Sequence, residues 1–149
     1  MSDPTKTKTK TKTKNPLKLS AEKKAAAIRV KIENRAASAT VVEVAECQAI
    51  VARAKSGFRG TGDYKLTPAM CAWLFVHANH YNREWSSTKA EEYCRRMNAG
   101  DWEYNGVGGS FYNTGDVADI QHRLSGCALS DDYTLEVSIA FGVRFRIPG

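Results

Sequence analysis

The densest run of chemistry-bearing side chains is Asn113–Cys127, NTGDVADIQHRLSGC. A turn (Asn113, Thr114, Gly115, Asp116) is followed by mostly apolar residues. Asp119, Gln121, His122 and Arg123 then fall within five positions, and an apolar pattern resumes at Leu124. If a strand over 117–119 feeds straight into a helix, the free N–H groups of the helix's first turn point into one small space that favours anions. Gln121 and His122 can donate hydrogen bonds there, and Arg123 can form a forked, bidentate pair with a phosphate. Asp119 can orient His122, cap the helix or bind a ribose hydroxyl. The competing reading makes Asp119 a plain N-cap and the others solvated first-turn residues.

Other chemistry finds less support. His77 and His80 sit three apart, but a zinc site needs a third and fourth ligand and none lies at a convincing spacing, so no metal is expected. Neither GxSxG nor HExxH occurs. Cys127 and His122 are five apart on one expected helix, a poor spacing for a nucleophile–base couple. Cys47, Cys71, Cys94 and Cys127 form no CxxC pair. They read as buried free thiols in a reducing cytoplasm. The glycine-rich stretch GFRGTGD (57–63) lacks the GxxxxGK[ST] spacing of a phosphate loop and reads as a linker.

Length and charge bound the rest. A chain of 149 residues is about one domain long. The net charge of +6 resides in residues 1–24, which hold eight Lys against Asp3 and Glu22, so the remaining 125 residues are neutral overall. Residues 4–14, PTKTKTKTKTK, alternate with period two, but neither face is apolar and the lysines repel one another, so residues 1–19 are expected to be a disordered tail. Such a tail touches DNA only in a salt-sensitive, sequence-blind way. No apolar run approaches the roughly 18–20 residues of a membrane span, and no signal peptide is visible.

The elements that must position the junction follow from caps and periodicity. Residues 20–37, from a Ser20 cap, and 41–55 read as a helical N-terminal segment spanning 20–57. A module is expected from about 63 to 143, followed by a tail at 144–149. Within it, Thr67-Pro68 opens a helix over 68–79. A Thr88/Glu91 capping box opens another over 88–99, with Ala90, Tyr93, Cys94 and Met97 on one face. Strands are expected at 102–104, 110–112 and 117–119, then a helix over 121–129 and a last strand at 135–141. The expected class is α+β, a small mixed sheet with packed helices.

Taken together, LTPAMCAWLFVHANHYNREWSSTKAEEYCRRMNAGDWEYNG and FYNTGDVADIQHRLSGCALSDDYTLEVSIAFGV resemble the ParB-like (ParB/sulfiredoxin) superfamily. The similarity is greatest to its DGQHR-motif bacterial and phage-associated members. It spans about residues 64–143: an NRxxS connection, a helix ending in M-x-x-G-x-W, a hairpin with a glycine turn, the QHR helix and a closing strand. The resemblance implies a module whose motif helix receives nucleotide phosphates. It places Gln121, His122 and Arg123 on the phosphate-binding turn and matches Asp119 to the acid of DGQHR. The implied ligand is a nucleoside triphosphate with Mg²⁺, CTP in partition proteins and ATP in sulfiredoxins. DNA is a further implied partner, as is a second copy in a homodimer. Gln121 stands where sulfiredoxins carry their cysteine, and an amide is no nucleophile, so that redox repair is excluded.

Two positions depart from the motif. Its glycine is Ile120 here, which obstructs phosphate approach and resists unusual dihedrals. GVGG (106–109) stands where relatives carry a more regular strand. Both argue against a live nucleotide site. Relatives also continue past the closing strand, and a helix-turn-helix region is lacking, so the chain reads as a fragment or decayed copy. The leading expectation is a cytoplasmic nucleotide- or phosphate-binding module of a DNA-associated bacterial or phage protein, without a clear enzymatic role. One alternative is an ATP-dependent phosphotransferase with Asp119 or Asp116 as its carboxylate base. The other is an inactive or truncated interaction module closed by Ile120.

Overall fold

A computed structural model describes residues 16–82, 84–102 and 108–145, with side chains from residue 20 onward. The Lys/Thr tail up to residue 15, Glu103 and Tyr104 of an expected strand, Gly106 and Val107 of GVGG, and residues 146–149 lie outside them.

Helix α1 spans Pro16–Ala37. It starts inside the stretch expected as tail, four residues ahead of Ser20, because Pro16 suits a first helical position and the alanines that follow propagate the helix. Its Ile28, Ile32 and Ala36 recur every four residues and are buried. Helix α2 spans Val41–Lys55 and buries Cys47, Ile50 and Ala54. Both helices belong to the same hydrophobic core as Leu66, Leu74, Phe111, Leu124 and Ile139. The 20–57 segment is therefore packed into the module, not beside it.

The stretch read as a linker contains a strand. β1 covers Gly60–Leu66 and pairs antiparallel with β4, Leu135–Val143, without a register shift from Gly60↔Phe141 to Leu66↔Leu135. Helix α3, Pro68–His77, follows behind an N-cap Thr67 and ends two residues early. Helix α4, Ser87–Asn98, is capped by Ser86, whose hydroxyl accepts from Lys89 N, and not by Thr88. Ala90 and Met97 are buried on α4, with Tyr93 and Cys94 half-buried between them. The short strands β2 (Gly109–Tyr112) and β3 (Val117–Asp119) pair antiparallel, and β2 runs parallel to β4. Helix α5 covers Gln121–Leu129. The sheet order is β1-β4-β2-β3, a mixed four-strand sheet packed against helices in an α+β fold.

Alternation along β4 turns Leu135, Val137, Ile139 and Phe141 into the core and leaves Glu136 exposed. Central helix α3 packs against α1 and α5, and α4 lies on α5. Gly126 permits that last contact, since a Cβ there would lie 2.6 Å from Tyr93 Cβ. Cys47, Cys71 and Cys127 are buried free thiols and Cys94 is half-buried. Burial, helped by Glu43 and Glu46, pushes the Cys47 thiol up to about 12. Burial raises Cys71 well above the ordinary range too, with a hydrogen bond to Cys127 adding to the effect. Such thiols are poor nucleophiles. No helix among the described residues is long and apolar enough to cross a membrane.

One carboxylate ties two helix starts together. Glu43 accepts from Thr40 N at 2.9 Å, completing the capping box of α2, and its other oxygen accepts from the Thr67 hydroxyl at 2.5 Å. Thr67 in turn accepts from Met70 N and caps α3. The Thr40 backbone bond, then the Thr67 bond, hold the Glu43 carboxyl below its ordinary 4.5. A depressed pKa means that the unfolded chain binds the proton more readily. The stabilisation is thus complete above about pH 4.5 and fades as pH falls through the folded value. Urea unfolding of Glu43→Gln should show a deficit near neutral pH that narrows below about pH 4.5; a deficit independent of pH would contradict this linkage.

Candidate functional site

The junction between β3 and α5 rests on one unusual backbone. Ile120 is the N-cap of α5, with φ 119° and ψ 10°, and makes no side-chain cap bond. Among the described residues it is the sole non-glycine with positive φ. For a β-branched residue that conformation costs on the order of 1–3 kcal/mol and persists only where the surroundings enforce it. The surroundings are visible. Its side chain is buried, and a Cβ added at Gly109 would fall 2.2 Å from Ile120 Cγ2 and 2.8 Å from Cδ1. Bare glycine on β2 is what lets an isoleucine occupy this turn. The Ile120 carbonyl then accepts from Leu124 N at 2.9 Å and starts the helix.

Asp119 does not cap α5. It is exposed on β3, paired with Ser110, and its chain neighbour Ile120 holds the N-cap position. Gln121 and His122 are buried and point to the connection between α3 and α4. Gln121 Oε1 accepts from Asn79 Nδ2 at 3.1 Å. His122 Nε2 accepts from the Ser86 backbone N–H at 3.0 Å, so the neutral ring carries its proton on Nδ1. Arg123 is half-buried, and its Nη2 donates to the Gly108 carbonyl at 2.7 Å. The three residues therefore diverge, two toward the α3–α4 connection and one toward the start of β2.

That connection is stitched to the junction along its length. Val117 N donates to Ala78 O at 2.7 Å. Asn82 Nδ2 donates to Asn79 Oδ1 and to Val117 O. Trp85 Nε1 donates to Ser125 Oγ at 3.0 Å. Since Ser86 caps α4 and also bonds His122, the N-termini of α4 and α5 meet at this point, and both contribute positive helix-dipole ends. Asp116, the other carboxylate considered as a base, is buried and bonded by His80 Nδ1 at 2.5 Å and Thr114 Oγ1 at 2.9 Å. It anchors the turn; Asp119 is the acid that faces solvent.

His77 is exposed and its ring lies tilted against that of Trp73, with 4.8 Å between ring centroids. No cluster of three or more metal-ligating side chains exists among the described residues. Sequence reasoning missed Asn79, Asn82, Trp85 and Ser125. The signal available was the run of polar side chains in NHYN on a short connection, where amides commonly serve backbone groups. No family model, curated protein or solved structure matches the chain.

Proposed function

We propose that this chain is a ParB-like module that binds the phosphates of a nucleoside triphosphate at the β3–α5 junction, within a DNA-associated bacterial or phage protein. The observation that carries the reading is Ile120: the turn before Gln121 keeps a left-handed backbone although its residue resists it. Glycine is what the resemblance expects at this position, and retention of glycine's conformation by an isoleucine points to a constraint on the turn's shape. The meeting of two helix N-termini supports anion reception at the same place.

Each residue then has a role. Gln121, through Asn79, fixes the α3–α4 connection against the turn, and His122, through Ser86, fixes the start of α4. Arg123, placed by the Gly108 carbonyl, is the phosphate clamp. Asp119, the exposed acid beside the turn, would hold Mg²⁺, which would offset the negative charge of the phosphates. The Lys-rich N-terminus adds salt-sensitive contact with DNA.

Titration of the full chain with nucleoside triphosphates, with and without Mg²⁺ and at about 0.15 M salt, tests this. Arg123→Ala should weaken binding about tenfold or more, the loss expected for a charge-assisted contact. Absence of nucleotide binding by the wild type defeats the proposal.

The second reading, an interaction module with a closed junction, is favoured by a different observation. Gln121, His122 and Arg123 all bond within the fold, and the Ile120 side chain is buried at the turn. On that reading Ile120→Gly gives no gain in nucleotide binding.

A further inference from the structure

The two edges of the sheet differ. β3 has three residues and runs directly into α5, so it cannot template a long pairing. β1 has seven, in continuous register with β4, and among the described residues β4 is its only strand neighbour. Sheet edges of this length are usually blunted by proline, charged side chains, a bulge or a cover, because their free N–H and C=O groups accept another strand. β1 has neither proline nor bulge.

What covers such an edge is written in its charges. Thr61, Asp63 and Lys65 are exposed on one face of β1. When two copies pair edge to edge about a two-fold axis normal to the sheet, residues of equal parity must oppose each other. Centring on Asp63 opposes two aspartates, and centring on Lys65 opposes two lysines. Centring on Tyr64 sets each Asp63 opposite Lys65 of the second copy, the favourable arrangement for cross-strand pairs.

Helix α2 repeats the pattern beside the same edge. Val42, Glu46, Ala49 and Arg53 follow spacing i, i+4, i+7, i+11 and are all exposed. Glu46, Ala49 and Arg53 line a groove of about 440 Å³ together with Asp63, Tyr64 and Lys65. An antiparallel crossing of two such helices places small Ala49 at the centre, where backbones approach, and turns Glu46 toward Arg53 of the second copy, whose guanidinium is held in place by the Tyr64 hydroxyl at 3.0 Å and the Phe58 ring. Val42, 65% exposed, adds an apolar flank.

We infer that two copies of this chain associate through their β1 edges, in the Tyr64-centred register, to form one continuous eight-strand sheet. The proposal is independent of the nucleotide reading. Sedimentation equilibrium on the full chain tests it, with far-ultraviolet circular dichroism confirming the fold of each variant. The wild type should dimerise. Lys65→Glu, which turns both cross-strand pairs repulsive, should raise the dimer dissociation constant by about tenfold or more. The exchange Asp63→Lys with Lys65→Asp restores opposite signs and should return it to near the wild-type value. A monomeric wild type at about 0.1 mM overturns the proposal, as does a dimer indifferent to Lys65→Glu or one the exchange fails to rescue.

Discussion

Replacing Gly109 with alanine should destabilise the fold by about 2–3 kcal/mol, and the same change should cost under about 1 kcal/mol when Ile120 is glycine. The added methyl would lie 2.2 Å from Ile120 Cγ2, and the isoleucine has no easy retreat because its side chain is buried against the core. Overpacking at so rigid a contact forces off-rotamer side chains and backbone shifts. Ile120→Gly alone combines opposing effects: it releases the left-handed strain but leaves a cavity. Filling that cavity from the Gly109 side is why the two changes couple. Urea unfolding of the four variants gives the coupling energy. Additivity within about 0.5 kcal/mol would mean that the strand glycine does not accommodate the isoleucine.

Trp85→Ala should cost about 3 kcal/mol or more. Trp85 joins three elements to the α3–α4 connection. Its ring lies 5.4 Å from that of Phe75 on α3 and under the Arg29 guanidinium of α1 at 4.8 Å, and its Nε1 bonds Ser125 on α5. Large aromatic truncations lose both burial and packing. Trp85→Phe keeps a ring for Phe75 and Arg29 but not the Ser125 bond, so it should cost only about 1 kcal/mol. Equal losses in the two variants would assign the effect to the hydrogen bond and not to the packed ring. A loss under about 1 kcal/mol in Trp85→Ala would show that the connection is held without it.

What the sequence disclosed follows the range of the forces involved. Local signals were readable. Thr67-Pro68 announces α3, the Val41–Ala54 periodicity announces α2, and alternation from Leu135 announces β4. β1 escaped notice because its glycines lower strand propensity and its structure comes from pairing with a strand far along the chain. Ser86 and Thr88 offer equivalent hydroxyls, and it is Ser86, held at its backbone by His122, that accepts from Lys89 N and caps the helix.

At the junction, Ile120 was visible as a departure from the motif. Its left-handed backbone was not, since a β-branched residue argues locally for the opposite. The inward use of Gln121 and His122 was equally hidden, because Asn79 and Ser86 reach them only through the tertiary fold.

The central claim is that the turn holding Ile120 receives phosphate. Amide-resolved NMR of the full chain, titrated with a nucleoside triphosphate and Mg²⁺ at about 0.15 M salt, tests it directly because the lysine tail and the junction report separately. The account predicts saturable shifts at Ile120, Gln121, His122 and Arg123, with saturation of the first three moved to about tenfold or more higher ligand in Arg123→Ala. Shifts confined to Lys6–Lys14, or none at the junction, would contradict it.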